Sequence, residues 1–209
     1  MSVITISRMY GAGGSDVAAH VAGALGWPLY DNDVVDRVSA RLGVTLAEVK
    51  ERDERIPSMA ERIATTMTMS APEMMPPMPR RPTPTQEQLV LEATRRVIED
   101  AVQQGPGVFV GRGAQSLLAA RPDALHVFCY APKEFLTRFV VEHRQVAPHD
   151  AERTVAETNK QREAYVKRNF HRNWLDFANY HLCLNTGWLG IIGAAELVVE
   201  AARRKGIAG

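Results

Sequence analysis

The chain has 209 residues, 45% of them apolar and 23% charged, and 25 basic against 24 acidic side chains leave a formal net charge of +1. A single domain over residues 1–209 is expected from that length, and near-neutrality argues against a dedicated nucleic-acid binder, which carries a basic excess. No run reaches the ~18 apolar residues of a membrane span, and the N-terminus lacks the layout of a secretory signal, so no membrane partner and a cytoplasmic location are expected.

Ile4 to Ser15, ITISRMYGAGGS, runs a short apolar strand at 3–7 into a glycine-rich turn and then into a helix over about 15–25. Glycines 11, 13 and 14 let consecutive N–H groups point into one concavity, where the positive end of the helix dipole favours an anion. Laid over the phosphate-loop pattern G-x-x-x-x-G-K-[ST], Arg8 takes the place of the first glycine, Gly13 of the second, Gly14 of the lysine and Ser15 of the hydroxyl. The cradle is kept and its usual cation is missing. Gly11 and Gly13 also begin a dinucleotide pattern, G-x-G-x-x-G, but Asp16 stands where the last glycine belongs and would repel a pyrophosphate. Gly11, Ala12, Gly13, Gly14 and Ser15 are therefore the candidate phosphate-binding residues.

A short strand at Pro28 to Tyr30 and a helix over about 32–42 come next, with Tyr30-Asp31-Asn32-Asp33 between them at the same sheet edge as the glycine loop. Two carboxylates there would repel a nucleotide unless a Mg²⁺ lay between them. Ser15 and Asp31 form the candidate metal pair, Asp33 is placed to orient an acceptor hydroxyl, and Asp31 equally suits a helix cap. Residues 57–85 are rich in methionine and proline and support neither a regular strand nor a long helix. A disordered surface loop and a lid or homodimer contact are both open readings of that insertion.

Further on, the pattern predicts a helix at 86–103, strands at Val108 to Val110 and Ala124 to Tyr130, and a helix from Pro132 to Gln145 with proline in its first turn. A highly charged helix at 150–170, a strand at Tyr180 to Asn185 and a helix from Gly190 to about Arg204 complete the chain. This alternation gives a three-layer α/β sandwich on a parallel sheet of about five strands, with ligands at the strands' carboxyl ends. Cys129 and Cys183, each in a strand-like run, are expected to be buried, reduced thiols.

Two later segments carry cations. Val110-Gly111-Arg112-Gly113 ends a strand, where Arg112 serves either as a planar fork for phosphate or as a partner of Asp31, Asp33 or Asp36. In the charged helix, Arg162, Tyr165 and Arg168 share one face. That face is either simply solvated or part of a cover that brings cations onto a transferring phosphoryl group. H-E-x-x-H and G-x-S-x-G are both absent, which leaves zinc and serine hydrolases without support.

Together ITISRMYGAGGSDVA, PLYDNDVVD, VFVGRGA and REAYVKRNFHRNWLDFANYHLCLNT resemble the cytidylate kinase-like family, a divergent branch of the nucleoside monophosphate kinases. The resemblance implies a P-loop kinase fold, an ATP-type donor at residues 8–15, a monophosphate-binding region built from the helices after Asp31, and a lid around 145–172. It also implies ATP- and Mg²⁺-dependent phosphoryl transfer to a nucleoside monophosphate such as CMP or dCMP. Three departures from true cytidylate kinases are chemical: Gly14 for the lysine, Gly113 for the acidic residue of D-G-R-D, and Asn185 for an aspartate. Candidate compensating cations are Arg8, or Arg112 and Arg168 from opposite walls, and with Arg162 and Asp33 these make up the candidate catalytic set. The aspartate pair also resembles the D-x-D of shikimate kinase, so a small hydroxylated acceptor is an alternative. A nucleotide-binding or phosphate-sensing module without turnover is the non-enzymatic one.

Overall fold

The computed structural model describes residues 2–31 and 86–208. The helix expected at about 32–42, Asp33 and the insertion at 57–85 lie outside the described residues. Five strands, β1 Val3–Arg8, β2 Leu29–Tyr30, β3 Gly107–Val110, β4 Ala124–Tyr130 and β5 Leu182–Asn185, form one sheet in the order β2-β3-β1-β4-β5. Every pairing is parallel. Among the described residues the α-helices are α1 Gly14–Leu25, α2 Gln86–Gln104, α3 Ala114–Leu117, α4 Lys133–Arg144, α5 Pro148–Phe170 and α6 Thr186–Arg204.

β1 lies at the centre and is buried on both faces, as a parallel strand covered twice must be. Its alternation divides the interior in two. Ile4 and Ile6 pack with Val108, Val127, Val17 and Val198 beneath α1 and α6, whereas Val3 joins Phe109, Val97 and Ile98 beneath α2. The expected three-layer α/β sandwich with a five-stranded parallel sheet is the observed architecture.

Several boundaries move for local reasons. Pro132 is the residue before α4 rather than part of its first turn, with extended backbone at φ −58°, ψ 152°. α6 starts at Thr186, four residues before the expected Gly190, because the Asn185 side chain accepts hydrogen bonds from the amides of Gly187 and Trp188. Gly190, at φ 71° and ψ 170°, is a kink within it. Cys129 is buried, and burial pushes its thiol up to about 12. Cys183 is exposed, contrary to expectation, because β5 is an edge strand.

On the α2 side of the sheet Thr5 and His126 face each other across β1 and β4, the Thr5 hydroxyl 2.7 Å from His126 Nδ1. His181 stacks on His126 at 5.1 Å, and its Nδ1 accepts the His126 amide at 3.0 Å. Burial, then the neighbouring His181, lowers the His126 pKa from 6.5 to about 4. The unfolded chain therefore takes up this proton first on acidification, and the stability it confers is lost as pH falls from about 6.5 towards 4. Denaturation at pH 7 and pH 4 is expected to show about 3 kcal/mol of this loss, removed in His126→Gln; an equal loss in the variant would assign it to other groups.

Candidate active site

The carboxyl end of β1 delivers the chain into the glycine loop. Met9 donates to the Cys129 carbonyl at 2.9 Å, and Ala12 turns back to the Met9 carbonyl at 3.2 Å. Gly11 and Gly13 take positive φ, 85° and 65°. Gly13 is the N-cap of α1 and supplies no side-chain acceptor. Among the described residues no turn or cap hydrogen bond uses the amides of Gly13, Gly14 or Ser15, so the orphan donors of this helix start, with its dipole, suit an anion, although Gly11 to Gly14 are buried and do not themselves line the pocket between β1, β3 and α5. The outer side of the loop is tied down elsewhere: Thr186 Oγ1 donates to the Ala12 carbonyl at 2.8 Å, and the Tyr10 amide donates to Asn159 Oδ1 of α5 at 2.7 Å.

Three of the candidate arginines converge. Arg8, Arg112 and Arg162 line one pocket with Tyr165, Trp174 and Tyr180, between the ends of β1 and β3 and the helix α5. Arg162 Nη1 donates to the Arg8 carbonyl at 2.9 Å, and its guanidinium lies 5.6 Å from the centre of the Tyr10 ring. Arg112 stands in left-handed backbone at φ 52°, between Gly111 at 68° and Gly113 at 71°. Burial lowers its pKa to about 10, so it still carries its proton at neutral pH. A side chain at 113 would meet the Phe170 ring at the end of α5, and φ there is 71°, so the acidic residue of D-G-R-D does not fit this backbone and packing without a shift.

Asp31 Oδ1 lies 3.7 Å from Arg8 Nη2 at the same edge, and Ser15 is half-buried in the first turn of α1. One hydroxyl and one carboxylate is the donor count suited to a Mg²⁺ that takes its remaining ligands from phosphates and water. Arg168 is half-buried on α5 but does not line the arginine pocket. Sequence reasoning missed Ser7, Gln115, Ser116, Trp174 and Tyr180 in that lining. Burial pushes the Tyr180 hydroxyl up to about 12, and it donates to the Trp174 carbonyl at 2.9 Å. The aromatics at 174 and 180 stand within the run that carries the family resemblance, but no spacing rule marks them. Asn159 gives no sequence signal at all.

The sheet order, the glycine loop at the end of β1 and the cations above it define a P-loop kinase-like α/β protein. The chain belongs to the cytidylate kinase-like family, whose model matches residues 3–187. No curated protein matches it. Among solved structures it resembles a protein of Eubacterium ventriosum ATCC 27560, described as uncharacterized, at 19% identity and TM-score 0.70, covering 97% of this chain and 99% of that one. Shikimate kinase from Acinetobacter baumannii, in complex with shikimate, is similar at 14% identity and TM-score 0.54 over 98% and 94% of the two chains. Shikimate kinase from Bacteroides thetaiotaomicron is similar at 13% identity and TM-score 0.51 over 97% and 96%. Family and fold together support kinase-type phosphoryl transfer. Among the described residues no helix is long and apolar enough to cross a membrane.

Proposed function

We propose that the protein transfers the terminal phosphoryl group of ATP, with Mg²⁺, to a nucleoside monophosphate of the CMP or dCMP type. The observation that carries this reading is the convergence of Arg8, Arg112 and Arg162 on one pocket beside the uncapped start of α1. The amides of residues 13–15 hold the donor phosphates, and Ser15 with Asp31 would hold the metal, which would supply neutralisation of donor phosphate charge. The acceptor's phosphate oxygen bonds to the γ phosphorus as the bond to the ADP oxygen breaks. Charge spread over the transferring group is met by the guanidiniums. Asp33 would orient an acceptor that attacks through a hydroxyl, and α5 closes the site as a lid, bringing Arg168 nearer.

A small hydroxylated acceptor is the second reading, favoured by the two shikimate kinase structures of similar fold and by Ser7, Gln115 and Ser116 in the pocket lining. Incubation with ATP, Mg²⁺ and a panel of nucleoside monophosphates and polyhydroxylated acids, with product identification, is expected to yield a nucleoside diphosphate. A phosphorylated hydroxyl acid instead selects the second reading. Tight ATP binding with no product from any acceptor selects a nucleotide-binding module.

A further inference from the structure

Packing links the loop's two departures from the phosphate-loop pattern. A Cβ added at Gly14 would lie 2.4 Å from Arg8 Cβ and 2.8 Å from Arg8 Cγ, and one added at Gly111 would lie 1.9 Å from Arg8 Nη1. The Arg8 side chain thus leaves β1, crosses Gly14 through the space that a lysine stem would need, and reaches Gly111 at the end of β3. Its first two carbons make the collision, and Cβ is fixed by the backbone, so no change of rotamer relieves it. Gly14 is the first residue of α1 and is not among the glycines of positive φ. Its backbone has no need of glycine, and helix propensity disfavours one. What requires the bare Cα at 14 is the stem of Arg8.

We propose that Arg8 and Gly14 are a reciprocal exchange, in which the phosphate-facing cation of the loop has moved from the seventh position of the pattern to the first and lies in a groove formed by Gly14 and Gly111. The proposal rests on the reading that residues 8–15 hold phosphates. It implies that either departure alone is damaging and that both reversed together are tolerated, since Arg8→Gly with Gly14→Lys turns RMYGAGGS into the full pattern G-x-x-x-x-G-K-S. The charge count is kept and the collision is removed.

The test is a double-mutant cycle on the full chain: parent, Arg8→Gly, Gly14→Lys and the double variant, each followed by thermal melting and by calorimetric titration with inorganic tripolyphosphate and with ATP. Gly14→Lys is expected to lower Tm far more in the presence of Arg8 than in the Arg8→Gly background. Each single variant is expected to bind tripolyphosphate at least about tenfold more weakly than the parent, and the double variant to recover to within about threefold. A double variant that melts no higher than Gly14→Lys alone, or binds no better than the weaker single, overturns the exchange. A parent that binds neither tripolyphosphate nor ATP overturns the phosphate-loop reading and, with it, the phosphate-facing role of Arg8, whereas additive melting overturns the steric exchange by itself.

Discussion

Arg112→Gly is expected to lose about 10²- to 10³-fold in turnover, with a change in Tm too small to account for it. Two features of the residue oppose folding. A left-handed backbone costs a residue bearing a Cβ about 1–2 kcal/mol, and φ at Arg112 is 52°. Burial also disfavours its charge, enough to bring its pKa down to about 10. Glycine relieves both, and the neighbours Gly111 and Gly113 already follow the same left-handed path. Asp31 and Tyr165 attract the same guanidinium, and it stands at a pocket wall that it shares with Arg8 and Arg162, so the largest cost of its loss is expected in turnover. Thermal melts beside initial rates with the best acceptor of the panel decide the matter. A fall in Tm that accounts for the lost rate would make Arg112 a structural pin between β3 and its neighbours.

The second large effect is expected at Gly11, where φ is 85° and an added Cβ would lie 2.5 Å from the carbonyl oxygen of Leu136. That obstacle is backbone within α4, which carries the buried Leu136 and Val140, and cannot swing aside. Gly11→Ala is therefore expected to lose about 3 kcal/mol in urea denaturation, from left-handed strain together with displacement of α4 or the loop. It is also expected to abolish nucleotide binding, because the turn that aims the amides of residues 13–15 is lost. Gly23→Ala is the control. It lies within α1 with nothing within 4 Å of the added carbon, and should gain about 0.5–1 kcal/mol. A Gly11→Ala protein as stable as the parent, with unchanged ATP affinity, would show that the turn is not what shapes the cradle.

Both effects concern residues whose types were legible in the sequence and whose surroundings were not. Strand-to-glycine-turn order marked residues 11–15 as a cradle, and a glycine-flanked arginine at a strand end marked Arg112, because these are local patterns with local physical causes. The period-three face of the charged helix brought out Arg162, and the fold places it on the Arg8 carbonyl. The same periodicity treated Arg168 as its equal, yet Arg168 does not line the pocket: at 3.6 residues per turn, two steps of three carry it about 120° around α5 from Arg162. Cys183 was misread because an apolar run does not say whether a strand lies at the sheet's centre or its edge.

Alternating apolar strands and amphipathic helices determined, from the chain alone, a doubly covered parallel sheet with a glycine-rich turn at the end of its first strand. Periodicity and glycine spacing are properties of neighbours in sequence, and they survive without knowledge of the fold. Tertiary structure alone decided what fills the space of a side chain at 14: the path of Arg8 over Gly14 to Gly111 joins residues far apart in the chain. It also decided that Phe170 fills the space beside Gly113 and that Asn159 meets the Tyr10 amide. Excluded volume between distant segments leaves no trace in local pattern, and that is where this site departs from the common one.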